Sequence, residues 1–228
     1  HFFLYKYLII NLMFIMNIQE LPKTIPVFPL SNFIMFPGTS VPLNIFEPRY
    51  LQMVNDCMKN NRIIGMIQPR KSGDIKKPDL YEVGCIGKVS SFNETEDGRI
   101  LIILNGVCRF KTIRENMNNK SYREFLVDYS QFQYDLEKRE SKLEKNDIST
   151  ILNNLKTFFK KQGYIINLKN IRNKSDDETL NDISMASPFS LEEKQIILES
   201  KNLHIKKQNI LEILNNYIKD DFNNTTIQ

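Results

Sequence analysis

The spacing of the apolar residues changes near residue 134, and this change most constrains what the chain can fold into. From Thr24 onward the apolar residues form short runs or alternate with polar ones, a pattern typical of β-strands. After Ile148 they recur every three or four positions, a spacing typical of amphipathic helices. We therefore predict an α+β protein, with a β-rich domain over residues 21–133 and a helical domain over residues 148–219.

Prolines interrupt the first part of the β-rich domain. Six of them lie close together: Pro22, Pro26, Pro29, Pro37, Pro42 and Pro48. Because proline has no amide hydrogen to donate, the strands here should be short and should lie near sheet edges or bulges. One helix is predicted among them over residues 47–61, since Pro48 suits a first helical turn and apolar residues follow at helical spacing.

A long hairpin is predicted after a polar loop that covers residues 69–79. Residues 83–92 and 99–104 form its strands, and Asp97-Gly98 between them is typical of a turn. Asn105-Gly106 is a second turn or bulge signal, which separates the hairpin from a further strand. The polar loop holds the densest group of basic residues: Arg70, Lys71, Lys76 and Lys77.

The second half of the chain is punctuated by helix signals. Residues 134–147 carry charges of both signs, which predicts a linker or a helix start. A helix beginning near Ile148 can end at Gly163, a last helix runs to about Ile218, and residues 220–228 form a polar tail. Two pairs of residues have the spacing of a capping box and begin short helices: Ser175 with Glu178, and Ser190 with Glu193.

The first sixteen residues are strongly apolar and do not begin with Met. One interpretation is a signal or anchor sequence, but Lys6 and Asn11 interrupt the run, which is shorter than the roughly 20 residues that cross a bilayer. The other interpretation is an upstream extension of the reading frame, with Met13 or Met16 as the true start. We favour the extension, set residues 1–20 apart from the fold, and expect no membrane association unless this segment is native.

No pattern of catalytic or cofactor-binding residues is recognisable. The sequence lacks the P-loop G-x-x-x-x-G-K-[ST], the G-x-S-x-G nucleophile elbow and the H-E-x-x-H zinc helix. The cysteines, Cys57, Cys85 and Cys108, are odd in number and widely spaced, which argues against a disulfide scaffold or a zinc site. We expect core cysteines in a reducing, cytoplasmic setting, and we predict no enzyme activity, no metal and no cofactor.

Aromatic and Met side chains cluster around the proline-rich strands and the helix that follows them. They are Phe28, Phe33, Met35, Phe36, Phe46, Tyr50 and Met53. Most of them should form the core, because short strands and one helix face must be buried somewhere. The alternative is that some line a groove for apolar peptide, a role that suits side chains that bury a large area and adapt to different partners.

Several short motifs follow one another in a specific order. They are IPVFPL (25–30), FPG (36–38), PLNIFEPRY (42–50), EVGCIG (82–87), GRILI (98–102), LNGVCRF (104–110) and SPFSLEEKQ (187–195). In order and spacing they resemble the Lon protease N-terminal (substrate-binding) domain family over about residues 21–218. The resemblance implies a PUA-like β pseudo-barrel followed by an α-helical bundle. Six matching residues are interpreted as architectural: Pro29, Pro37, Gly38, Gly84, Gly106 and Arg109.

The resemblance also implies a non-catalytic role. In full-length Lon this region lacks catalytic residues, helps to recognise substrates, and is followed by an ATPase and a protease module. This chain has neither module, so we expect it to resemble the stand-alone members. Its partners would be unfolded or apolar protein segments, and a protease could receive them. The predicted peptide-binding residues are Phe46, Glu47, Arg49, Tyr50 and Met53, with a role in the fold as the alternative for Glu47, Arg49 and Tyr50.

RNA binding is the alternative function. PUA-like barrels in other families bind RNA, and the basic residues of the polar loop would be the contact. Against this, the net charge of +4 is spread thinly along the chain, whereas phosphate binding needs a clustered basic face. Nucleic acid is therefore the less favoured partner. The sequence does not fix the oligomeric state.

Overall fold

The computed structural model describes residues 18–73, 77–136, 143–164 and 174–224. The strands in these residues are β1 (Thr24–Pro29), β2 (Ser40–Ile45), β3 (Ile63–Ile67), β4 (Pro69–Gly73), β5 (Pro78–Leu80), β6 (Val83–Glu94), β7 (Ile100–Asn116) and β8 (Arg123–Asp128). The α-helices are α1 (Pro48–Met58), α2 (Lys145–Lys161), α3 (Asp176–Ala186), α4 (Leu191–Leu198) and α5 (Leu203–Asn224). Two 3₁₀ helices span Ile18–Glu20 and Ser130–Asp135.

Six of these strands form one sheet in the order β2-β7-β6-β3-β1-β8, and β7 also pairs with β8. That extra pairing closes five strands into a barrel, which leaves β2 outside the ring as an edge strand. β7 can serve both partners because it is 17 residues long. Its first part pairs with β2 and its last part with β8. The predicted α+β fold, with a pseudo-barrel followed by helices, is confirmed.

Two features of the strands differ from the prediction. The polar loop predicted over residues 69–79 contains the hairpin of β4 and β5. Asn105-Gly106, predicted to be a turn or a bulge, lies within the single strand β7, where the pairing with β6 shifts register just after Gly106, as in a bulge. Gly106 serves a close approach instead of a turn, because a Cβ atom there would lie 2.2 Å from the carbonyl oxygen of Phe36.

Helix α1 begins at Pro48, as its missing amide hydrogen allows, and ends at Met58. Glu47 occupies the N-cap position without a side-chain capping hydrogen bond. The buried face of the helix repeats at helical spacing: Tyr50, Met53, Val54 and Cys57. This face packs with residues of the barrel, including Phe28 and Ile64, in one of two buried apolar clusters.

The larger apolar cluster joins the barrel to the helices. It contains barrel residues such as Ile25 and Phe110 together with helical residues such as Leu155, Phe158 and Ile210. The β-rich and helical parts therefore share one interior. The division into domains at residues 134–147 stays a prediction, and residues 137–142 of that segment lie outside the described residues.

Arg109 connects the barrel to the helices through a fully buried ion pair. Its guanidinium donates to both carboxylate oxygens of Asp135, from Nε at 2.9 Å and from Nη2 at 2.8 Å. Nη1 donates to the carbonyls of Leu198 and Ser200 at 2.8 and 2.7 Å, at the end of α4. Helix carbonyls at a C-terminus lack intrahelical donors, so a cation satisfies them well.

A second buried polar contact fixes the Pro37-Gly38 turn. Lys206 of α5 donates to the carboxylate of Asp177 at 2.6 Å and to the amide oxygen of Asn181 at 2.8 Å. The amide nitrogen of Asn181 donates to the carbonyl of Pro37 at 3.0 Å. Burial lowers the pKa of Lys206, and the Asp177 carboxylate opposes that shift.

Both predicted capping boxes are present. The hydroxyls of Ser175 and Ser190 accept from the amides of Glu178 and Glu193, at the starts of α3 and α4. Helix α5 runs on to Asn224, so the predicted polar tail begins as helix. Of the predicted N-terminal extension, residues 1–17 lie outside the described residues. No helix in the described ranges is long and apolar enough to cross a membrane.

Candidate peptide-binding surface

The outer face of β2 and β7 carries large apolar side chains that water can reach. Leu101 and Ile103 are 42% and 40% exposed, and Phe46, one residue past the end of β2, is 65% exposed. Pro42 and Asn44 of β2 lie directly opposite Ile103 and Leu101, so these side chains share one face of the sheet. We call Phe46, Leu101 and Ile103 the outer patch.

The alternation of β7 explains why the patch faces outward. Ile100, Ile102 and Leu104 point to the opposite face and are buried in the cluster with α1. Five consecutive apolar residues therefore supply both faces of the strand, whereas a sheet with one wet face usually alternates apolar and polar residues. The outer patch is thus an exposed apolar surface that the interior does not explain.

The patch adjoins the outer edge of β2, which pairs with no other strand among the described residues. The carbonyl of Thr39 accepts from the amide of Gly106 at 2.8 Å, so it points toward β7. Backbone groups alternate in direction along a strand. The amide and carbonyl groups of Val41, Leu43 and Ile45 therefore point toward β7, and the backbone of Pro42 faces the free edge. A proline there removes one donor from the edge, which restricts uncontrolled strand pairing while leaving the neighbouring groups available.

The structure separates the five predicted binding residues into two groups. Phe46 is exposed, and Glu47 and Arg49 lie beside it at the surface, where Nε of Arg49 donates to the Glu47 carboxylate at 3.0 Å. Tyr50 is only 5% exposed and Met53 is fully buried. These last two lie in the interior, so neither can contact a peptide at the surface.

The packing of α1 on the barrel explains the positions of Tyr50 and Met53. The Tyr50 ring lies against Phe28, with 4.2 Å between ring centroids, and Arg49 covers its other side at 4.6 Å. Burial raises the pKa of the Tyr50 hydroxyl, although the charge of Arg49 opposes this. Tyr50 and Met53 thus anchor α1 on the barrel, which keeps Glu47 and Arg49 beside the exposed Phe46.

The sequence prediction missed Leu101 and Ile103. A usable signal was present, because the run ILIIL over residues 100–104 has no polar position, although a hairpin strand with one wet face needs one at every second residue.

Comparison with known proteins places the chain in a family. The model of the ATP-dependent protease La (LON) substrate-binding domain family matches residues 24–216. The chain belongs to this family. Lon protease of Dictyoglomus thermophilum is 26% identical over 84% of the chain, and Lon protease of Syntrophus aciditrophicus is 24% identical over 89%. These matches cover 24% and 26% of the two relatives, so the chain spans about a quarter of their length.

Solved structures of Lon N-terminal domains have the same fold. The crystal structure of a Lon N-terminal domain protein from Xanthomonas campestris superimposes with a TM-score of 0.62 at 18% identity, covering 84% of this chain and 98% of that one. The N-terminal domain of a Mycobacterium avium complex Lon protease gives 0.61 at 12% identity, covering 85% and 98%. The barrel and helices described above are therefore the Lon N-terminal architecture.

The basic residues of the polar loop are engaged within this Lon-type domain. Lys71 pairs with Glu192 at 2.7 Å, and Lys77 pairs with Glu115 at 3.2 Å. The Arg70 guanidinium lies 4.9 Å from the centre of the Tyr81 ring. Lys76 lies outside the described residues. Lys71 and Lys77 therefore each lie beside a carboxylate at the surface, which lowers the net positive charge of the described part of this loop.

The titratable groups of the described residues form no reactive constellation. In these residues, no group of three or more His, Cys, Asp or Glu side chains is placed to hold a metal ion. The three cysteines are free and buried. Burial raises the pKa of all three thiols, that of Cys57 to about 12, which opposes formation of a nucleophilic thiolate. The carboxylate of Asp97, at the hairpin tip, has a lowered pKa because Arg99 and Thr95 donate to it.

Another concave surface lies along α5. It has a volume of about 400 Å³ and is lined mainly by exposed polar side chains, including His204, Gln208 and Glu212. Its apolar contribution is limited to Ile205 and Leu211. This composition suits a solvated helix face better than a site for apolar peptide.

Proposed function

We propose that this chain binds unfolded or apolar segments of other proteins through the outer patch, without catalysing a reaction on them. The observation that carries the proposal is an exposed apolar sheet face next to a free strand edge, in a member of a substrate-binding domain family. A segment that lies across the outer face of β2 and β7 would cover Phe46, Leu101 and Ile103, and where it continues past β2 it could pair with the edge of that strand. Glu47 and Arg49 would form the polar rim.

The size of the patch predicts weak binding. Complete burial of a Leu, Ile or Phe side chain stabilises a complex by about 1.5–3 kcal/mol. Since the three side chains are roughly half exposed, covering them contributes about 3–4 kcal/mol in total. Because association also costs translational and rotational freedom, the patch alone supports affinity no tighter than roughly millimolar, and backbone hydrogen bonds would strengthen it. Weak, reversible contact suits a module that samples many sequences and releases them.

The partner that receives the bound segments is proposed from the relatives. The chain matches a region of proteins named Lon protease, and we propose that it presents apolar segments to a protease in the cytoplasm. Buried, free thiols are consistent with a reducing compartment. RNA binding is the less favoured function, because the net charge of +4 is spread thinly along the chain.

The absence of Trp from the sequence allows a direct binding assay. A Trp-containing, unfolded apolar peptide can be excited selectively, and its fluorescence and anisotropy followed as the protein is added. We expect saturable binding with a dissociation constant of roughly millimolar or tighter, and little change with salt, since phosphate contacts are not involved.

Variants then locate the site. The triple variant Phe46→Ser, Leu101→Thr, Ile103→Thr should weaken binding at least tenfold. The matched control is Ile113→Thr with Ile196→Thr, which removes exposed apolar side chains elsewhere and should leave binding unchanged. Equal binding by all three proteins would refute the outer patch as the site. Absence of peptide binding by the wild-type chain would refute the proposed function itself.

A further inference from the structure

Two buried amide side chains face a small cavity between the barrel and α4. Gln68 follows β3 and is 6% exposed, and Gln195 lies in α4 and is 2% exposed. The other residues that line the cavity are mainly apolar and include Met66 and Leu198. In the described part of the chain, neither amide oxygen, Oε1 of Gln68 or Oε1 of Gln195, has a hydrogen-bond donor.

The orientation of the Gln195 amide is fixed by its nitrogen. Nε2 donates to the carbonyl of Val83 at 3.0 Å and to the carboxylate of Glu199 at 2.7 Å. Rotating the amide by half a turn would set its oxygen against these two acceptors and lose both bonds. The buried atom without a partner is therefore the oxygen, and the apolar side chains that line the cavity beside Gln195 offer it no donor. Buried polar atoms without partners are rare in folded proteins, which indicates that something in the cavity donates to it.

We propose that one ordered water molecule binds in this cavity and donates one hydrogen bond to each amide oxygen. The cavity has a volume of about 10 Å³, close to the minimum that one water requires. A water has two donors, which matches the two acceptors. A Ca²⁺ ion would need six to eight oxygen ligands, and these apolar walls do not supply them.

This site adds to the attachment of α4 and does not depend on the proposed peptide binding. Gln195 already binds the barrel directly through Val83, and Arg109 binds the carbonyls at the end of the same helix. The water would add a contact between Gln68, at the end of β3, and Gln195 of α4 to these hydrogen bonds. The contact between barrel and helices is thus hydrated at one defined point.

Methyl-labelled NMR of the full chain tests the proposal. Met66 and Leu198 line the cavity, so their methyl protons should show nuclear Overhauser cross-peaks at the water frequency. The sign of these cross-peaks should be that of a water molecule that stays bound longer than the protein takes to tumble. Leu155, which is buried in α2, serves as the control methyl group and should show none. The variant Gln68→Met removes one acceptor at similar length and should abolish both cross-peaks, whereas the exposed Gln208→Met should leave them unchanged.

A crystal structure provides the independent readout if Gln68→Met does not fold. Density for one water within hydrogen-bond distance of both amide oxygens would support the site. Absence of the water cross-peaks in the wild-type protein would overturn the proposal. So would a direct hydrogen bond between the two amides, or a cation surrounded by several oxygen ligands.

Discussion

Replacing Arg109 with Met should cost more stability than any exposed-arginine substitution in this protein. The change leaves the buried Asp135 carboxylate without its ion pair, although the backbone amide of residue 109 still donates to it at 2.9 Å. It also removes the donor that serves the Leu198 and Ser200 carbonyls. Removing one partner of a buried pair typically costs 3–5 kcal/mol, so we expect a loss of about 4 kcal/mol.

Urea unfolding followed by circular dichroism measures this loss. With a denaturant slope of about 2 kcal/mol per molar, a loss of about 4 kcal/mol lowers the midpoint by about 2 M. The matched control is Arg49→Met, whose ion pair with Glu47 lies at the surface and should contribute at most about 1 kcal/mol. Its midpoint should therefore fall by no more than about 0.5 M.

The double variant Arg109→Met, Asp135→Leu tests the physical reason. If the cost arises from an uncompensated buried charge, removing the second charge should recover part of the stability, and the double variant should be more stable than Arg109→Met alone. A midpoint for Arg109→Met equal to that of Arg49→Met would refute the assignment of Arg109 as the main polar connection. A double variant less stable than the single one would refute the charge argument.

Four further outcomes are expected. Gly106→Ala should destabilise the fold by at least about 3 kcal/mol, because the new Cβ would lie 2.2 Å from the Phe36 carbonyl oxygen. Gly98 has a φ of +79° and no atoms near the position of a Cβ, so Gly98→Ala should cost only about 1 kcal/mol in the same urea assay. The three buried thiols, Cys57 included, should react with a thiol reagent only after unfolding, as absorbance kinetics with and without denaturant would show. Burial raises the pKa of Glu115, but hydrogen bonds from Arg123 and Lys77 outweigh burial and lower that pKa below its ordinary 4.5. The stability that the Glu115 carboxylate contributes is therefore present above pH 4.5 and is lost as the pH falls. Glu115→Gln should flatten the acid limb of a plot of stability against pH. Because one apolar cluster joins barrel and helices, both parts should unfold in a single transition, and probes of each should give coincident urea curves.

Local signals in the sequence were sufficient to predict those helices that are stabilised by contacts between residues close together in the chain. The capping boxes of Ser175 and Ser190 join residues three apart, and both helices begin there as predicted. The helical spacing that predicted α1 also identified most of its buried face, namely Tyr50, Val54 and Cys57, but not Met53. These features need no information from distant parts of the chain, so composition and spacing determine them.

Features that depend on distant partners were beyond such reasoning. Asn105-Gly106 reads as a turn because that pair favours turns, yet its glycine is required by the Phe36 carbonyl, which lies 70 positions earlier. The β4–β5 hairpin is short and polar, so its residues alternate too little to predict strands. Arg109 was interpreted as architectural from the resemblance alone, and its partner Asp135 fell in a segment with no distinctive pattern.

In the candidate site, too, some residues are explained by the fold and others are not, and this difference can be tested. Leu101 and Ile103 alternate with buried neighbours, so the interior would be preserved if both were polar, and a polar face would also protect the edge of β2 from aggregation. Under the proposed function, their apolar character reflects contact of the outer face with a bound protein segment. The double variant Leu101→Thr, Ile103→Thr should lower the free energy of unfolding by no more than about 2 kcal/mol, because Leu101 and Ile103 are only partly buried and Thr favours strands, yet lose peptide binding. If the variant unfolded much more readily, the two side chains would belong to the core, and the surface would lose its claim to be a binding site.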